Sequence, residues 1–157
     1  MTGPEGRWLH AAVERAVANV AEGGGPFAAL VVRGEDVVAD GVNRVTRDLD
    51  PTAHAEVVAI RAACRALETH VLTGTVLVSS CEPCPLCLSA ALWARVDAVL
   101  YAADRHDAAD GGFDDRAFYD LFDRPRDTWE LPVRQLSVDG AASPFQAWLA
   151  KADRVEY

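Results

Sequence analysis

Two short segments lying far apart in the chain, His54-Ala55-Glu56 and Pro83-Cys84-Pro85-Leu86-Cys87, carry the residue types that bind first-row metals. For them to serve one site, the fold must bring two helix starts to one point. Residues two apart on a regular helix point away from each other, so His54 and Glu56 share a site only near a helix end. Cys84 and Cys87, three apart at the start of a second helix, can turn both sulfurs to one side, where the positive helix end favours thiolates. One histidine and two cysteines make three protein ligands. Structural zinc sites take four, whereas catalytic sites take three and leave the last position to water. Glu56 is then a spare carboxylate, suited to carry protons between that water and a leaving group. The soft donors favour Zn2+, one per subunit, over other metals, with iron as an alternative.

Each residue also has a plainer reading. His54 alone is an ordinary structural histidine, the cysteine pair alone is a redox couple or half of a structural zinc site, and Glu56 alone complements a helix dipole. The combined spacing has little reason to arise from packing. Cys64 falls on an apolar stripe and reads as core, while Cys81 stands beside the metal loop and as a fourth ligand would close the site.

Hydrophobic periodicity supplies the surrounding elements. Trp8, Leu9, Ala12, Val13, Ala16, Val17 and Val20 recur at helical spacing until Gly23-Gly24-Gly25 ends the run. Residues 26–32 and 37–42 read as a hairpin of two strands joined by Arg33-Gly34-Glu35-Asp36. A helix is predicted over 53–67 with Thr52 as its N-cap, a strand over 75–80, a helix from Pro85 to Arg95 and a strand over 97–102. A helix crosses between the last two strands, which makes them parallel. Beyond an acidic loop from Asp104 to Asp115 come a short helix near 115–122, an extended piece over 131–138, and a final helix from Ser143-Pro144, with Ser143 as cap, to Arg154. The expected fold is a three-layer α/β/α sandwich with a mixed five-stranded sheet, forming one domain over residues 1–157.

The net charge of −9 and the absence of any Lys/Arg run oppose binding to a phosphate backbone and favour a small substrate. Residues 1–6 contain no basic region followed by an apolar run, so no signal peptide is read, and no stretch is long enough to span a bilayer. Three cysteines crowded into residues 81–87 suit a reducing, cytoplasmic setting better than disulfides.

The segments Gly25-Pro26-Phe27, Asp50-Pro51-Thr52-Ala53-His54-Ala55-Glu56 and Ser80-Cys81-Glu82-Pro83-Cys84-Pro85-Leu86-Cys87 resemble those of bacterial guanine deaminases of the cytidine-deaminase fold. The likeness extends to Trp93-Ala94-Arg95, Tyr101-Ala102-Ala103, Gly112-Phe113-Asp114-Asp115, Ser143-Pro144-Phe145-Gln146-Ala147-Trp148 and Glu156-Tyr157. The metal motif itself is that of the zinc base deaminases generally. The resemblance implies hydrolysis of guanine to xanthine and ammonia, with His54, Cys84 and Cys87 on zinc and Glu56 carrying protons. It further implies Asn43 on the substrate ring and Asp115 on its amino-pyrimidine edge, in a binding or catalytic role. Phe27, Ala55 and Phe113 would line the site. A homodimer is implied as well, whose C-terminal segment, about 140–157, crosses to the partner's site and brings Tyr157 and Trp93 near substrate. Without the resemblance, Asn43 reads as a turn residue, Asp115 as a helix cap, and the two phenylalanines as core. Ala28, Leu86, Ser89 and Leu92 depart from the family's usual residues; Leu86 is a mild exchange, whereas Ala28 and Leu92 reshape the expected pocket, which leaves a triazine such as ammeline, a cytosine-like base or a nucleoside as alternative substrates. A tRNA adenosine deaminase and a non-catalytic zinc-binding or redox protein complete the alternatives.

Overall fold

The computed structural model describes residues 3–113 and 115–157. Met1, Thr2 and Asp114, the last within the Gly112-Phe113-Asp114-Asp115 segment, lie outside them. The described residues divide into two compact units, one ending at Tyr119 and the other beginning at Asp120.

The first unit is built on β1 (Ala28–Arg33), β2 (Asp36–Val42), β3 (Val76–Cys81) and β4 (Ala98–Ala103), in the order β2-β1-β3-β4. β1 pairs antiparallel with β2 and β3, and β3 pairs parallel with β4, so the sheet is mixed. Strand β1 is buried on both faces, and its alternation sorts the core. Leu30 and Val32 pack with Val78 against Ala12, Trp8 and Leu9 of α1 (Pro4–Ala21). Ala29 and Val31 face the opposite way with Leu77, onto Ala55, Ala59, Ile60 and Ala63 of α3 (Ala55–Ala66) and Ala91 and Ala94 of α4 (Pro85–Ala94). The result is helix, sheet, helix. Gly41 is required where α3 meets β2, because a Cβ there would lie 2.5 Å from both the Ala55 carbonyl oxygen and the Ala59 nitrogen.

Among the described residues the sheet has four strands, not five. Residues 131–138 form no strand. Pro132 lacks the N–H that a ladder needs, and the alternation Leu131, Val133 falls out of phase with Leu136, Val138, so no single face is apolar. Thr52 does not cap α3 either. Its N–H and hydroxyl both donate to Asp50 Oδ1, closing a local turn, and His54 occupies the cap position. The acidic stretch after Asp104 contains a helix, α5 (Arg105–Asp110), because Asp104 and Asp107 form a reciprocal capping box. A short α2 (Val45–Asp48) precedes α3, and α6 (Arg116–Phe122) follows Asp115.

From Asp120 onward the chain forms a 3-10 turn (Arg126–Thr128) and α7 (Ser143–Ala150). Ser143 is the first residue of that helix, with Ala142 at the cap, and the helix stops short of Arg154 as Lys151 becomes extended. Phe122 stacks edge-on against Trp129, and Trp148 against Tyr157. Among the described residues no helix is long and apolar enough to cross a membrane.

Candidate active site

Two helix N-termini do converge. His54 is the N-cap of α3 and Cys84 the N-cap of α4, both with extended backbone. That cap geometry removes the difficulty of a two-residue spacing. His54 lies outside the helical spiral, so its ring can point to the same place as the side chain of Glu56 one turn-step later. Pro85 at the first helical position holds the second helix start in its required φ.

The His54 Nδ1 atom lies 3.5 Å from each of the Cys84 and Cys87 sulfurs, which are 3.7 Å apart. Among the described residues these three are the only cluster able to hold a metal ion. With ordinary zinc bond lengths, three corners of a tetrahedron have S to S edges of about 3.8 Å and N to S edges of about 3.6 Å. The donor triangle therefore fits a tetrahedral ion with one corner left over. The electrostatics suit a cation as well. Cys84 is pushed down to about 4, chiefly by its contact with Cys87 and then by His54, which favours its thiolate form. Cys87, facing that charge and buried, is held well above the usual thiol range. Cys84 in turn raises the basicity of His54. Cys81 lies outside the triangle, its sulfur 3.6 Å from the Asp104 carbonyl, and burial pushes its thiol to about 11. Cys64 packs against the α3 and α4 side of the core.

Glu56, only 5 % exposed, accepts a hydrogen bond from the Ser79 hydroxyl on Oε1 at 3.0 Å, and its Oε2 lies 3.3 Å from Cys87 Sγ. Desolvation raises its pKa, which favours a carboxyl able to hold a proton. His54, Ala55, Glu56 and Cys84 open onto a cavity of about 410 Å³, a size that suits a small molecule. Asn43, Phe27, Phe113 and Asp115 line it too, with Gly23, Gly24, Gly25, Val45, Thr46 and Glu82. Phe27 and Phe113 meet edge to face, centroids 4.8 Å apart. The Val45 N–H donates to Asn43 Oδ1 at 3.3 Å, which leaves the amide NH2 to donate elsewhere. Asp115 Oδ1 is buried and has no hydrogen-bond partner among the described residues, and burial raises its pKa.

One sequence candidate, Trp93, does not line this cavity. Trp93 is exposed and lines a separate shallow depression with Ser89, Leu92 and Arg95. Tyr157 belongs to the second unit. In the other direction, nothing in the motif reading marked Ser79 or Glu82. The period of β3 could have found Ser79, which shares a face with Leu77 and so looks toward α3. Glu82 is gripped by Arg105, whose backbone N–H and side-chain Nε each donate at 3.0 Å to Oε2, while its Nη2 donates to Oε1. The Arg105 guanidinium lies over the Tyr119 ring, and the Tyr119 hydroxyl donates to the Pro83 carbonyl. This bracket holds the loop that delivers Cys84.

A three-ligand His/Cys/Cys zinc cluster beside a buried glutamate, on an α/β/α sandwich, defines a zinc-dependent hydrolase. Residues 4–103 match the family described as the cytidine and deoxycytidylate deaminase zinc-binding region, and the chain belongs to that family of aminohydrolases. Guanine deaminase of Bacillus subtilis (strain 168) is 47 % identical over 150 residues, covering 92 % of this chain and 96 % of that protein. The X-ray structure of guanine deaminase from Bacillus subtilis superimposes with a TM-score of 0.93, at 47 % identity, covering 96 % of this chain and 97 % of that one. The tRNA-specific adenosine deaminase of Aquifex aeolicus (strain VF5) is 33 % identical over 135 residues, covering 83 % of this chain and 87 % of that protein.

Proposed function

We propose that the protein deaminates free guanine, giving xanthine and ammonia. The observation that carries this reading is the polar lining of the cavity. The NH2 of Asn43 is a donor and the Asp115 Oδ1, without a partner among the described residues, an acceptor, on the same cavity as Glu56 and the metal cluster. Guanine presents the matching edges: a ring nitrogen and carbonyl as acceptors, and an N–H with an amino group as donors. The nearly full-length likeness to a guanine deaminase supports the same reading.

His54, Cys84 and Cys87 would hold zinc, which would supply a water activated at neutral pH. Glu56 would take one proton of the water as its oxygen adds to the amine-bearing ring carbon, pass that proton to the adjacent ring nitrogen, and then carry the second water proton to the amino group, whose C–N bond breaks to release ammonia. Ser79 holds Oε1, so Oε2 is the oxygen that moves the proton. Asp115 receives the amino-pyrimidine edge and Asn43 the opposite edge. Phe27, Phe113 and Ala55 flank the flat ring and keep water out.

The protein acts as a homodimer in the cytoplasm, with residues 1–157 forming one functional domain and the segment 140–157 crossing to the partner's site, where Tyr157 and Trp93 meet the substrate. No residue from 120 to 157 is buried in the single chain, and Phe145, Leu149, Val155 and Tyr157 are all exposed, which supports a partner surface that covers them.

Ammonia release measured across guanine, cytosine, ammeline and nucleosides tests the substrate. Guanine is expected to be turned over by a wide margin, and activity confined to another ring rejects it. The Aquifex likeness favours one rival, deamination of adenosine in tRNA. Editing that falls steeply with salt, without turnover of the free base, would establish that rival instead.

A further inference from the structure

Asn19 is a polar residue where packing alone calls for an apolar one. It lies near the C-terminal end of α1 and is 1 % exposed. Its Nδ2 donates to the backbone carbonyls of Gly25 at 2.7 Å and Asn43 at 3.0 Å. Those two acceptors settle the orientation of the amide, because the reversed group would set oxygen against two oxygens. The Oδ1 atom is buried and has no hydrogen-bond partner among the described residues. An unpaired buried oxygen costs stability, so the value of this side chain must lie in the two bonds that it makes.

Both bonds end on the wall of the cavity. Gly23, Gly24, Gly25 and Asn43 all line it. Gly24 lies so close to the Asn19 amide that a Cβ there would fall 2.3 Å from Nδ2, and a Cβ on Gly25 would fall 3.0 Å from Asn43 Oδ1. Asn19, the glycine loop and Asn43 form one stack with no slack. We propose that Asn19 is a positioning residue, which ties the glycine loop to the Asn43 backbone and so holds the Asn43 amide where the base binds. It does not itself touch substrate, and the proposal rests on the reading of Asn43 as a substrate-holding residue.

Steady-state kinetics on guanine with the zinc-loaded, full-length protein tests this, with Asn43→Ala as the reference. Asn19→Leu keeps the branching of the side chain and removes both bonds together with the orphan oxygen. Its expected effect is a KM raised about three- to tenfold, the range that one neutral hydrogen bond supports, with kcat within about twofold. The thermal midpoint should fall, since the Gly25 and Asn43 carbonyls lose their donor. In an Asn43→Ala background the same substitution should add nothing, since the two act as one unit. Gly24→Ala should raise KM when Asn19 is present and be close to neutral once Asn19→Ala has made room. A KM for Asn19→Leu within about twofold of the parent, or an equal rise in the Asn43→Ala background, overturns the proposal. Should Asn19→Leu fail to fold, an unchanged KM for Gly24→Ala overturns it just as well. An Asn43→Ala variant with unaltered KM removes Asn43 from the substrate site and the proposal with it, a result distinct from one in which Asn43 matters and Asn19 does not.

Discussion

Up to Tyr119 the chain buries an apolar layer on each face of β1 and β3, and from Asp120 to Tyr157 it buries no residue at all. The apolar side chains are present in both regions. In the second, Leu131, Leu136, Val138, Phe145 and Leu149 stand largely in solvent, and local contacts such as Trp129 Nε1 on the Arg124 carbonyl order the chain. A segment below about 40 residues, with no disulfide and no metal, does not stabilise itself. All four cysteines are free and lie in the first region. The comparison teaches that the first region contains its own reason to fold and its own chemistry, while the second leaves its apolar side chains exposed.

The sharpest test of that division is chemical. Glu56→Gln in the first region should lower kcat by about 10²- to 10⁴-fold while zinc content, read by elemental analysis, stays at one per subunit. Mixing this variant with a second one lacking residues 140–157 should restore part of the activity if the tail acts on the partner's site; no recovery breaks the crossing arrangement. Stability comes next. Leu77→Ala, in the fully buried core, should destabilise by about 2–5 kcal/mol in denaturant titration. Leu136→Ala should stay within about 0.5 kcal/mol for the separated subunit and act instead on dimer dissociation measured by sedimentation. Equal effects at the two sites would erase the contrast.

A chelator should lower the melting midpoint of the first region as well as stopping turnover, because the ion joins the starts of α3 and α4. The smallest effect concerns pH. Arg105 holds the Glu82 carboxyl below its ordinary 4.5, so this pair stabilises the fold above that value and the contribution is lost as pH falls through the lowered one. Arg105→Met should flatten the acid side of the stability profile below pH 4.5 and leave the neutral side little changed.

Much of the first region is legible in the amino-acid sequence alone. The hairpin, the parallel pair β3 and β4, and the helices bearing the motif follow from periods of 2 and 3.6 and from Gly and Pro punctuation, all local properties. The metal triangle was legible because ligand chemistry restricts which residues can stand at such spacings. Thr52 misled as a cap because Asp50, two residues away, offered its hydroxyl and N–H a nearer acceptor. The fifth strand was misread because an extended piece shows its own backbone preference and not whether a neighbouring strand edge is there to receive it.

By itself the amino-acid sequence determined the donor set His54, Cys84 and Cys87, the spare carboxylate Glu56, and the alternation that builds two helical layers on a sheet. Only the tertiary structure decided that Ser79 binds one oxygen of Glu56, that Arg105 grips Glu82 beside the cysteine loop, and that Asn19 spans the glycine loop and Asn43. Propensity and spacing act over a few residues, whereas these contacts join positions separated by as many as 24 in the chain, and their partners are chosen by packing alone.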